Sequence, residues 1–121
     1  AAQREIVSLA VAQYNSCHYC LSAHTLLGKG AGLSPAAIRA ARQGKGESAI
    51  DNAIATLALR IVETRGQVSD ADLSEARLAG LDDARIVEIV GNVAHNVLTN
   101  FMNNVAQTKI DFPVVDVAIA A

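Results

Sequence analysis

The densest run of reactive side chains is Cys17-His18-Tyr19-Cys20-Leu21-Ser22-Ala23-His24, and it contains both cysteines of the chain. On a helix beginning near Cys17, the positions Cys17, Cys20 and His24 fall at i, i+3 and i+7 and share one face, which sets the imidazole over the second thiol. Two effects there favour the thiolate, the reactive form of cysteine: the free N–H groups at a helix N-terminus, and an imidazole able to take the proton. The CxxC spacing also lets the sulfurs close a short disulfide, so that an oxidised cysteine becomes a stable, reducible product. The chemistry these residues suit is two-electron thiol redox.

Glu5 joins the same group by geometry. If the first two helices fold as an antiparallel pair about a turn near Asn15 and Ser16, the position opposite Glu5 is near residue 26, within about one turn of His24. A carboxylate there orients the imidazole and strengthens it as a base, giving a relay Glu5, His24, Cys20, direct or through a water, with Cys17 as the partner sulfur. Blander readings stay open. The cysteines can be small buried hydrophobes, and Glu5 a first-turn acid favoured by the helix dipole. Cys17, Cys20 and His24 can supply three zinc ligands with Glu5, His18 or His95 as a fourth, although the usual second ligand pair is absent. Haem attachment fails because Leu21 stands where His is required. His18 reads as an exposed neighbour and His95 as a packed or interface histidine. Gly28-Lys29-Gly30 and Gly44-Lys45-Gly46 follow helices and match no phosphate loop, so they read as turns.

Elements must position these side chains, and composition says which kind. Alanine fills 23 of 121 positions while aromatics make up 3%, a balance that favours closely packed helices over sheet. The expected fold is all-α, a compact bundle of about six helices in one domain spanning 1–121. Gln3 to Tyr14 is apolar nearly all round from Ile6 to Ala12, as a central helix must be. Asn15 and Ser16 read as N-cap residues for a second helix from about Cys17 to Lys29. Ser34-Pro35 opens a short third helix that Gly44 stops. Residues 47–65 form an amphipathic fourth, ended by Gly66. Ser69 caps a fifth that Gly80 closes, and Asp82 caps a sixth running to about Gln107.

Within that sixth helix Asn92, Asn96, Asn100 and Asn104 form an i, i+4 ladder, read as a hydrogen-bonded seam against another helix or subunit, with a polar substrate wall as the alternative. Residues 108–121 contain Pro113 and alternate Val114, Val115, Val117 and Ile119, the pattern of an extended arm that packs on a neighbouring surface and serves assembly.

Charge narrows the partners. A net charge of -2 and no cluster of Lys and Arg give no footprint for nucleic acid or an anionic membrane. No apolar stretch approaches the roughly 18 residues of a span, and no charged-then-apolar leader is visible, so a soluble cytoplasmic protein is the default expectation. The sequence opens at Ala1 without Met, which leaves room for residues upstream.

The stretch Arg4 to Leu33, REIVSLAVAQYNSCHYCLSAHTLLGKGAGL, resembles the active-site segment of the AhpD-like alkylhydroperoxidases within the carboxymuconolactone decarboxylase family. The shared features are a Glu twelve residues before the first Cys, then CxxC, three residues and His, around the run AVAQYN. Weaker similarity continues through Ala31-Gly32-Leu33-Ser34, ETRG, VSDADL and NxxxN. The resemblance implies an all-helical fold, assembly into trimers or hexamers, and reduction of organic hydroperoxides by the cysteine pair. It makes Cys20 the attacking sulfur, Cys17 the resolving one, and Glu5 and His24 the proton relay. Better-known members carry a His just before the second cysteine, where this chain has Tyr19, with His18 one place earlier. No cofactor or metal is expected, so reducing equivalents come from an external dithiol, a lipoylated or thioredoxin-like protein. A lactone-decarboxylase activity, or a non-catalytic metal-binding or assembly module, is the alternative.

Overall fold

The computed structural model describes residues 1–118; Ile119, the last of the alternating apolar positions, lies outside the described residues. Six α-helices follow one another: α1 (Ala2–Tyr14), α2 (His18–Gly30), α3 (Pro35–Arg42), α4 (Ala49–Thr64), α5 (Asp70–Leu78) and α6 (Asp83–Ala106). There is no strand among the described residues.

The unbroken apolar run in α1 has the consequence its composition demands. Every residue from Ile6 to Ala12 is buried, and α1 packs against α2, α3, α4 and α6 at once. A helix with only one apolar stripe could not be covered on four sides. Leu9, Val11, Leu21, Ile38, Leu57 and Ile89 belong to the core this creates. Four of the outer helices start on a side-chain cap: Ser34 for α3, Ser48 for α4, Asp82 for α6, and for α5 a Ser69–Asp72 capping box. These satisfy N–H groups that would otherwise have no partner.

The turn that joins α1 to α2 differs from the expected one. Asn15 and Ser16 do not cap α2; they end α1. Ser16 takes a left-handed φ of 52°, its N–H donates to Gln13 O (3.2 Å) and the Cys17 N–H donates to Ala12 O (3.0 Å). This pair of bonds is the Schellman arrangement, which closes a helix on a left-handed residue. The chain then re-enters helix at once, and Cys17 itself is the N-cap of α2, its sulfur accepting from the Cys20 N–H at 3.2 Å. The tight reversal sets α1 and α2 side by side and puts a sulfur at the helix mouth.

The asparagine ladder is divided between two tasks. Asn100 is fully buried and its Oδ1 accepts from Asn15 Nδ2 at 3.1 Å, while Asn104 Nδ2 donates to Asn15 O at 3.1 Å. These two clamp α6 to the end of α1. Asn92 and Asn96 instead face a cavity beside the cysteines.

After α6 the described residues carry no helix or strand and fold back over the start of α2. Phe112 meets Tyr19 edge to face with ring centres 5.5 Å apart, and the Val115 N–H donates to Ser22 Oγ at 2.9 Å. Arg42 donates to the Asp116 carbonyl at 2.7 Å and to Gln13 Oε1 at 2.8 Å, and Gln13 Nε2 donates to the Val117 carbonyl. Burial holds the Arg42 guanidinium below its ordinary pKa, an effect that the Asp116 carboxylate only partly offsets. Val115 and Val117 pack on the core of their own chain, which is where this arm finds its neighbouring surface.

Candidate active site

Cys17 and Cys20 are joined in a disulfide with Cα atoms 5.3 Å apart, inside the range such a bond requires. The two sulfurs are not equivalent. Cys17 is 1% exposed, and a cavity of about 470 Å³ is lined by Cys20 but not by Cys17. A substrate in that cavity meets Cys20 first. Cys17 lies behind it, at the cap of α2.

Glu5 and His24 share the cavity and meet each other: Glu5 Oε2 lies 2.7 Å from His24 Nδ1, both side chains about one-fifth exposed. The carboxylate accepts from Nδ1–H, which leaves Nε2 as the ring nitrogen with a free lone pair. The antiparallel pairing read from the sequence is therefore realised with His24 in place of the neighbouring turn at residue 26. Cys20 and His24 stand one turn apart on α2 and line one cavity. The polar neighbours of the Cys20 sulfur, however, are on α6: the Asn103 amide, which donates to it at 3.5 Å, and the Thr99 carbonyl oxygen at 3.8 Å, a contact that becomes a hydrogen bond only when the thiol is reduced and protonated. No hydrogen bond joins Cys20 Sγ to His24 among the described residues; the cavity lies between them.

The remaining candidates are dispersed. His18 points away from the pair, half exposed, with its Nε2 3.9 Å from Asp116 Oδ1. His95, expected as a packed or interface histidine, is exposed in the single chain and lines the cavity from α6 together with Asn92 and Asn96. Among the described residues no group of three or more His, Cys, Asp or Glu is placed to hold a metal. Asn103 and Thr99 were not singled out from the sequence. Their signal is faint, since Asn103 sits one position off the i, i+4 ladder. Only the packing of α6 on α2 brings it to the sulfur.

Tyr19, Leu27 and Phe112 give the cavity an apolar side, while Arg4, Asn92, Asn96 and Thr99 give it a polar one. Its one carboxylate, Glu5, is engaged by His24. No described helix is long and apolar enough to cross a membrane.

Fold and site together define a class: an all-helical protein with a CxxC pair at the mouth of a helix, opening on a cavity that holds a carboxylate–imidazole pair. The family model described as Carboxymuconolactone decarboxylase family matches residues 1–63, and the chain belongs to that family, which includes the AhpD-like proteins. No curated protein matches it. The matched residues carry Glu5, Cys17, Cys20 and His24; α5 and α6 lie beyond them.

Proposed function

We propose that the protein is a thiol-dependent peroxidase, a dithiol–disulfide oxidoreductase that reduces organic hydroperoxides. The observation that carries this reading is the shared cavity: the one sulfur open to it, Cys20, faces the same space as an imidazole whose second nitrogen is held by a carboxylate.

In the reduced enzyme, His24 Nε2 takes the Cys20 proton across the cavity. The thiolate attacks the distal oxygen of ROOH, an S–O bond forms, the O–O bond breaks, and the alkoxide leaves as ROH with the proton held on His24. Sulfur has lost two electrons and is a sulfenic acid. The Cys17 thiol, already within bonding distance, displaces water and closes the disulfide. An external dithiol, from a lipoylated or thioredoxin-like protein, then reduces it: one donor thiol forms a mixed disulfide, the other expels it, and two thiols return. A compartment of reducing poise such as the cytoplasm suits this cycle.

Self-association into a trimer or hexamer is part of the reading. The long α6 leaves Val87, Leu98, Phe101, Met102 and Val105 exposed, a stripe of the kind that partner subunits cover.

The test is consumption of cumene hydroperoxide with a small dithiol as donor. The parent turns over and Cys20→Ser does not. Equal consumption by both proteins, or a lactone-decarboxylase activity that survives replacement of both cysteines, overturns the assignment.

A further inference from the structure

The geometry points to Asn103 as a catalytic residue of this site, its side-chain N–H holding the Cys20 sulfur as thiolate before attack. The inference rests on Cys20 being the attacking sulfur. Asn103 Nδ2 lies 2.8 Å from the Thr99 carbonyl oxygen and 3.5 Å from Cys20 Sγ. The first contact fixes the second. A carbonyl oxygen accepts only, so the amide atom facing it is the NH₂ group and not the oxygen. One N–H is spent on the backbone of the preceding turn, and the other is the donor facing sulfur.

The same two residues serve the two protonation states unequally. A protonated Cys20 donates weakly to the Thr99 carbonyl at 3.8 Å, because S–H is a poor donor. A thiolate accepts from the Asn103 N–H, and a hydrogen bond to an ionised acceptor is roughly twice as strong as a neutral one. Cys20 is 3% exposed, and burial alone would disfavour the charge. The titratable groups lining the cavity are Arg4 and Glu5 from α1, Tyr19 and His24 from α2, and His95 from α6. None of these is a hydrogen-bond partner of the sulfur among the described residues. The direct donors to the pair are the α2 N-terminus, through Cys20 N–H to Cys17, and Asn103 to Cys20.

The test is alkylation of Cys20 by iodoacetamide across a pH series, in the Cys17→Ser background so that one free thiol remains, with Asn103 intact, N103L and N103D. Only the thiolate reacts, so each curve gives the ionisation of Cys20 without any peroxide present. The parent titrates lowest, N103L higher and N103D highest. At acid pH the N103L rate falls about tenfold, the size of one lost charge-assisted hydrogen bond, while the alkaline plateaus agree within about threefold. A merely structural disturbance would move the plateau instead. An N103L curve that coincides with the parent's overturns the inference. If N103L does not fold, the near-isosteric N103D decides, and its midpoint must lie above the parent's. Failure of the peroxidase reading shows separately: the three curves would separate as stated while the parent consumes no hydroperoxide.

Discussion

Glu5 Oε2 on α1 lies 2.7 Å from His24 Nδ1 on α2, and this contact gives the imidazole its direction. With Nδ1–H engaged, Nε2 is left to exchange protons in the cavity. Glu5→Gln keeps the shape and removes the charge. Hydroperoxide kcat/KM falls roughly 10²-fold, within the usual contribution of a positioned acid–base group, while thermal unfolding shifts little. Kinetics and calorimetry on one preparation check both halves.

The proposed cycle gives the two sulfurs separable duties. Cys17→Ser leaves Cys20 able to react once, and its sulfenic acid is not drawn into the internal disulfide. Mass spectrometry after a sulfenic-acid trap finds one adduct, on Cys20. Cys20→Ser yields none.

The arm lies across the start of α2 through Phe112 on Tyr19 and Val115 on Ser22, near the disulfide that the donor of the proposed cycle has to reach. Arg42 ties it down through the Asp116 and Ala118 carbonyls. Arg42→Ala loosens it: amide exchange at Val115 and reduction of the oxidised pair by a small dithiol both speed up, by roughly tenfold for the loss of about 1.4 kcal/mol of contacts. An unchanged reduction rate would mean that the arm does not limit access.

The seam between α1 and α6 is a stability feature. Asn100→Ala removes the acceptor of the Asn15 amide and leaves a small void in a fully buried site. It destabilises by about 1–3 kcal/mol, read as a lower midpoint in urea, with a modest effect on the chemistry.

How much of this could be read beforehand follows from the range of each interaction. The Glu5–His24 contact was legible because an antiparallel helix pair with a short turn reduces to counting residues. The six helices were legible because Ser, Asp and Gly punctuate them. The turn itself was misread: asparagine and serine are common N-caps, and the left-handed φ of Ser16 that makes it a helix terminator leaves no mark in residue type. A sulfur acting as cap is also outside the usual preference. Asn103 was invisible because its contact with Cys20 spans 83 positions and depends on how α6 rotates against α2. The ladder at Asn92, Asn96, Asn100 and Asn104 marks one asparagine face, and the contact with sulfur falls at the position beside it. The arm's apolar alternation was readable, but not that it would return to its own chain.

The most direct measurement mixes the reduced protein with one equivalent of cumene hydroperoxide and follows thiol content and mass. Loss of both thiols together with release of one cumyl alcohol and a mass two hydrogens lower is the predicted result, since Cys20 gives its electron pair to oxygen and Cys17 completes the bond. Thiols that persist beside unspent hydroperoxide would contradict the account.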